Sequence, residues 1–113
     1  MKRNLTIKFL NELKPKYLRS GYPIPKWMIF SETLIKRGWI VKMYAAKTTV
    51  SKYLYIRFKK MAYKIRFSDH KANKMAERNK DADFYIGRGN FGTITTGVLL
   101  RKLIKKENEY ERV

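Results

Sequence analysis

The sequence predicts a small α+β domain, helices packed on a three- to four-stranded antiparallel sheet, and three observations lead there. Apolar residues recur at helical spacing in Trp27, Phe30 and Leu34, and Gly38 closes the run. From Trp39 to Ile86 the period shortens to two, the mark of half-buried strands. The 113 residues, 44% hydrophobic and 14% aromatic, make one domain's length of chain with enough apolar surface to bury a core.

Taken in order, Leu5, Ile7, Phe9, Leu10 and Leu13 fit a short helix that opens near Asn4 or Thr6 and stops at Pro15, whose ring and missing N–H oppose continuation. Residues 1–22 thus read as a basic N-terminal helical arm. Ser20 to Pro25 forms a turn and hinge, since glycine permits positive φ and each proline restricts its predecessor. An α+β domain spans 23–106. Pro25 suits the first turn of its opening helix. Trp39, Val41 and Met43 then alternate with Ile40, Lys42 and Tyr44, and Lys47-Thr48-Thr49 is a polar turn. Leu54, Ile56 and Phe58 alternate with Tyr53, Tyr55 and Arg57, Lys59-Lys60 is a tight reversal, and Tyr63, Ile65 and Phe67 alternate with Lys64 and Arg66. A long polar loop from Ser68 to Asp83, open to a helical stretch around Ala72 to Arg78, precedes a last short strand at Phe84 and Ile86. Arg88 to Gly92 reads as a glycine-assisted turn. Thr93 or Thr95 caps a third helix with Val98, Leu99 and Leu103 inward and Arg101, Lys102, Lys105 and Lys106 outward. Residues 107–113 are expected to fray.

The chain carries 27 Lys or Arg against nine acids, a net charge of +18, and the excess is uneven. Through Ser68 there are 17 bases and only two acids, Glu12 and Glu32; the remainder holds ten bases and seven acids. Such crowding repels itself, so it points to a polyanionic partner, phosphate first. The absence of cysteine removes disulfides, thiolate metal sites and cysteine nucleophiles. No apolar run has the length of a signal-peptide core or approaches the ~20 residues that cross a bilayer, and the expectation is a cytosolic protein.

Basic residues interleaved with aromatics on strands carry the strongest chemical signal. Tyr53, Tyr55 and Arg57 share one face of a strand, and Lys64 and Arg66 one face of the next. A surface of that kind neutralises phosphates with its cations and stacks bases or ribose on its rings; the alternative is a solvated face of ordinary β-forming tyrosines. Asp69-His70 pairs a carboxylate with the only imidazole, without a recognisable nucleophile to serve. Gly87 to Gly92 matches a dinucleotide fingerprint only in its first two glycines, and a turn is the better reading. Asp69, Glu77, Asp81 and Asp83 have the oxygen chemistry to gather Mg²⁺ in a nuclease, but serve equally as turn, cap and strand-entry residues. No catalytic residue, metal site or cofactor is assigned, and the first helix is too short and too weakly apolar to favour membrane binding.

The stretch Tyr63-Lys64-Ile65-Arg66-Phe67-Ser68-Asp69-His70-Lys71-Ala72-Asn73, preceded by Gly38-Trp39 and Ser51-Lys52-Tyr53, resembles a pattern of small phage and mobile-element proteins. In these a strand reading Tyr-x-Ile-Arg-aliphatic runs into Ser, then Asp or Asn, then His. Broad-range type II anti-CRISPR proteins of streptococcal phages are similar in order as well, with a basic N-terminal segment, a helix, a Gly-Trp strand start and then this motif. The likeness spans roughly Leu34 to Ile86, with Phe67 where an aliphatic residue is usual. It implies a non-enzymatic anti-defence protein in the host bacterial cytoplasm. Its partners would be nucleic acid (guide RNA or DNA) and a host CRISPR nuclease, with no membrane and no small-molecule cofactor. A charge of +18 speaks against DNA mimicry, since mimics are acidic, and for a grip on RNA or on the nuclease's nucleic-acid-binding surface. A plain accessory or regulatory nucleic-acid-binding protein of a phage or mobile element is the alternative. The expected contacts are Lys2, Arg3, Lys8, Lys14, Lys16 and Arg19 from the arm, with Tyr53, Tyr55, Arg57, Lys59, Lys60, Lys64 and Arg66 from the strands. Ser68, Asp69 and His70 are expected to be a structural motif that bonds loose backbone groups of the loop that follows.

Overall fold

A computed structural model describes residues 2–45, 51–87 and 94–111. Along the chain run β1 (Lys2–Leu5), α1 (Ile7–Arg19), α2 (Lys26–Lys36), β2 (Ile40–Ala45), β3 (Lys52–Phe58), β4 (Met61–Phe67), α3 (His70–Asn79), β5 (Phe84–Ile86) and α4 (Thr96–Glu111). The turns expected at Lys47-Thr48-Thr49 and Arg88 to Gly92, and the cap at Thr93, lie outside the described residues.

The α+β class holds, but the sheet has five strands in the order β1-β2-β3-β4-β5 and is mixed, not three- or four-stranded and antiparallel. Strands β1 to β4 are antiparallel, and β5 lies parallel to β4. Two physical reasons account for the difference. β1 has four residues, KRNL, too few to display a period of two, and only its pairing with β2 (Lys2 opposite Tyr44, Leu5 opposite Val41) makes it a strand. β5 runs parallel because the segment expected as a loop is a crossover helix, α3, and parallel neighbours need such a connection. Asp69 caps α3, its Oδ1 accepting the Ala72 N–H at 2.9 Å, and Lys80 closes it with a left-handed φ of 51°.

The N-terminal segment is likewise no separate arm. After β1, Thr6 caps α1 by accepting the Phe9 N–H at 3.0 Å, and the helix continues through Pro15 to Arg19. Pro15 removes one N–H donor, to the carbonyl of residue 11. Both positions are exposed, so water takes the donor's place. Leu10 is fully buried, and α1 packs against α2. The second helix begins after Pro25 as the sequence predicts, with Trp27, Phe30 and Leu34 buried. Gly38 then takes φ 95° at the turn into β2, a conformation that favours glycine.

One face of the sheet supplies Leu5, Val41, Leu54, Ile56, Phe58, Ile65, Phe67 and Ile86 to a single core. Leu10 of α1, Trp27, Met28, Phe30 and Leu34 of α2, and Leu99 and Leu103 of α4 cover it. Phe30 meets Phe67 edge-on with ring centroids 5.6 Å apart. α3 packs on the opposite face beside β5, where the buried Tyr85 hydroxyl donates to the Ala76 carbonyl at 3.2 Å.

The tail expected to fray from Glu107 is helical through Glu111. Glu107 is buried and anchors α4 to the α2–β2 turn. It accepts from Arg37 Nε at 3.1 Å on both oxygens, from Arg37 Nη2 at 2.7 Å and from Trp39 Nε1 at 2.6 Å. Burial pushes its carboxyl pKa up, but the Arg37 and Trp39 hydrogen bonds outweigh that and hold it below the ordinary glutamate value. A carboxylate held low in the folded state adds stability above its unfolded pKa, and that contribution is lost as pH falls through the folded value. Stability should therefore decline as pH drops through and below the ordinary glutamate range. Glu107→Gln should cost about 2 kcal/mol at neutral pH and flatten the decline in denaturant titrations run across pH; an unchanged slope contradicts the assignment.

Candidate nucleic-acid interface

β3 is paired on both sides, and Leu54, Ile56 and Phe58 point into the core. Alternation then places Tyr53, Tyr55 and Arg57 on the opposite, outer face. The registers extend them into three rows across the sheet. Tyr55 lies between Lys42 and Lys64, Tyr53 between Tyr44 and Arg66, and Arg57 between Ile40 and Ala62. The expected grouping of Tyr53, Tyr55, Arg57, Lys64 and Arg66 on one face is thus what the strand pairing produces.

The rows differ in what they leave available. Arg66 is turned inward: its Nη1 donates to Asp81 Oδ2 and to the Tyr53 hydroxyl at 2.6 Å each, and its Nη2 to Ser51 Oγ at 3.0 Å. Tyr53 donates to the same Asp81 oxygen at 2.8 Å. Burial, then the bond to Asp81, pushes its phenol pKa up to about 12. Arg66 Nε and Asp81 Oδ1 remain buried without a hydrogen-bond partner among the described residues. Arg66 and Tyr53 therefore brace the sheet, their polar atoms engaged with Asp81, Ser51 and each other. The Ile40–Arg57–Ala62 row is exposed throughout, and the Lys42–Tyr55–Lys64 row is exposed at Lys42 and half-buried at Tyr55 and Lys64. Lys64 Nζ sits 4.6 Å from the Tyr53 ring centroid and 5.6 Å from that of Tyr55, an ammonium held over two π faces. Arg57 is exposed, with Nε donating to the Lys59 carbonyl at 3.2 Å. Lys42, Tyr55, Arg57, Lys64, Ile40 and Asp83 contribute to the lining of a concavity of about 440 Å³ on this face.

Of the remaining predicted contacts Lys2 alone falls on this face by register, at the β1 end of the Tyr53 row; Arg3, Lys59 and the basic residues of α1 do not join it. α1 lies on the core side, so exposed Lys8, Lys16 and Arg19 are separated from the tyrosine face by the thickness of the sheet. Lys14 is paired with Glu32, which also binds Lys36 at 3.1 Å. Arg3 lies on the core side of β1, its guanidinium 3.7 Å from the Phe9 ring centroid, and Lys2 falls in β1 opposite Tyr44. Lys59 stands at the β3–β4 turn over Phe58 and Tyr110, 5.3 Å from each ring, and 3.7 Å from Glu111; Lys60 beside it is exposed. A larger concavity, about 680 Å³, opens on the core side between Trp27, Phe67 and Ile86. Part of its polar lining is engaged: Lys52 lies over Trp27 at 5.6 Å, Asp69 caps α3, and Ser68 donates to Asn73.

The Ser68-Asp69 step works on the backbone. Besides the Asp69 cap, Ser68 Oγ donates to Asn73 Oδ1 at 2.6 Å. The Asn73 amide in turn donates to the carbonyls of Ile86 at 2.6 Å and Ser68 at 3.2 Å. Fully buried Asn73 thereby ties the end of β4 to the end of β5. His70 is the first residue of α3. Three of the four acids that invite a metal are individually employed: Asp69 as a cap, Asp81 on Arg66, and Asp83 accepting the Lys64 N–H at 2.8 Å. No group of three or more His, Asp or Glu among the described residues is placed to hold a metal ion.

Sequence reasoning had left Lys42 and Asp83 out of the site. Lys42 was legible as an outward residue of β2, but its place opposite Tyr55 depends on a register that pattern alone does not fix. Asp83 reaches Lys64 only because α3 returns the chain to β4.

Asn73→Ala should lower stability by about 2–3 kcal/mol, because it strips partners from buried carbonyls, while leaving nucleic-acid affinity within about twofold at temperatures where the variant is folded. A selective loss of affinity with stability intact would make the motif a contact site. Among known proteins, no family model, no curated protein and no solved structure matches this chain.

Proposed function

We propose that the chain binds single-stranded nucleic acid across the outer face of its sheet and performs no catalysis there. The observation that carries this is the Lys42–Tyr55–Lys64 row with Arg57 beside it, cations flanking a partly exposed ring at the edge of a concavity. Rings stack bases without regard to sequence, and cations neutralise the backbone that links them. The ion pairs among the described residues engage Lys14, Lys36, Arg37, Lys59 and Arg66, and none engages Lys42, Arg57 or Lys64. These three have charge to offer a phosphate.

Mobility shifts with single-stranded RNA, single-stranded DNA and duplexes over a salt series test the reading. Affinity should fall as salt rises, and replacing Lys42, Arg57 and Lys64 together by glutamine should weaken binding at least tenfold and lower the salt slope by about 2. Replacing Lys8, Lys16 and Arg19 of α1 should cost less. Equal losses from the two triples, or affinity indifferent to salt, would move the site elsewhere.

A narrower reading follows from the residue 63–73 likeness to anti-CRISPR proteins. The nucleic acid engaged would be guide RNA or DNA in a host's RNA-guided nuclease, and binding would disable the nuclease. The net charge of +18 supports a grip on nucleic acid over mimicry of it. Plasmid interference in cells with a targeting CRISPR system decides this. Restored transformation by the wild-type chain, lost in the Lys42/Arg57/Lys64 triple, is the expected result. Unchanged interference across type II systems would leave a plain nucleic-acid-binding protein.

A further inference from the structure

The outer face carries one group that phosphate binding does not explain. Asp83 is a carboxylate on the wall of a concavity whose other charged side chains, Lys42, Arg57 and Lys64, are all cationic. Its position is fixed from both sides: its N–H donates to the Lys64 carbonyl at 2.8 Å, and its Oδ2 accepts the Lys64 N–H at 2.8 Å. Oδ1 has no hydrogen-bond partner among the described residues. An anion there weakens the local field that draws phosphate; its bond to the Lys64 backbone engages Oδ2, and Oδ1, across Lys64 from Tyr55, is left to meet a ligand with hydrogen-bond donors.

Resting on the nucleic-acid reading above, we propose that Asp83 makes this face select guanine among the bases it stacks. A base stacked on Tyr55 with its Watson–Crick edge turned across Lys64 would meet that carboxylate. Guanine alone presents two adjacent donors there, N1–H and the N2 amino group, which fit a carboxylate as a fork. Uracil presents a single N3–H between two carbonyl oxygens that the anion repels. Cytosine and adenine each offer one amino group beside a ring nitrogen that accepts and does not donate. A paired donor contact discriminates between bases by about fivefold or more, and the exposure of Asp83 places this one at the low end.

The test is fluorescence anisotropy of the full chain with seven-nucleotide RNAs, oligouridine carrying guanine, inosine, cytosine, adenine or uracil at the centre. A single guanine prevents quadruplex formation, and inosine lacks only the N2 amino group. Guanine should bind about fivefold more tightly than uracil, with inosine between them. Asp83→Asn keeps an oxygen for the Lys64 N–H and turns an amide donor towards the base, so it should abolish the guanine preference without changing the unfolding midpoint by more than about 3 °C. Equal affinity for all five, a stronger preference for another base, or guanine preference surviving in Asp83→Asn overturns the proposal while the nucleic-acid reading stands. Absence of binding to every oligonucleotide overturns both.

Discussion

The pairing of β3 on both edges, with Leu54, Ile56 and Phe58 buried beneath α2 and its neighbours, is the constraint from which the rest follows. A central strand has only two faces. Once apolar burial claims the even positions, Tyr53, Tyr55 and Arg57 have no alternative to the outer face, and a slip of one residue would drive an arginine and two tyrosines into the core. The hydrophobic effect that holds the sheet to its helices therefore also aims the cations and rings. The same pairing sets Lys42 and Lys64 on either side of Tyr55.

A chain of this charge needs its few acids at particular places. Glu32 joins α1 and α2 through Lys14 and Lys36, Glu107 joins α4 to Arg37 and Trp39, and Asp81 holds Arg66 and Tyr53. Asp69 caps the crossover helix, and Asp83 fastens its far end to β4. With the acids so committed, cations away from these joints keep their charge. The buried or half-buried pairs add stability that acid removes, since Glu32 too is held below its ordinary pKa by the hydrogen bonds of Lys14 and Lys36. Apart from the Asp69 cap and the Glu32–Lys36 pair, which are local, these joints link segments distant in sequence, so they fix how the layers meet more than they raise the strength of any one element.

Legibility of the fold tracked how many residues each signal could draw on. β3 shows its alternation over seven residues, and α2 shows three apolar anchors with a proline at one end and a glycine at the other, so both were readable. β1 offers four residues, and α3 is polar apart from Ala76, Ala72 and Met75, so in sequence the first merges with the helix that follows and the second resembles a loop. The candidate site was readable strand by strand but not across strands. Arg66 looks like every other outward cation in the sequence, and its withdrawal is decided by Asp81, 15 residues further on. The basic residues of α1 looked continuous with the rest because charge is additive along a chain, whereas the sheet divides them by face.

The claim that the outer face is the binding surface is tested most directly by mapping amide chemical shifts of isotopically labelled protein as a short single-stranded RNA is titrated in. The account predicts that the largest changes fall at Lys42, Tyr55, Arg57, Lys64 and Asp83 and their neighbours on β2, β3 and β4. Changes confined to α1 and α4, with the outer face silent, would contradict it.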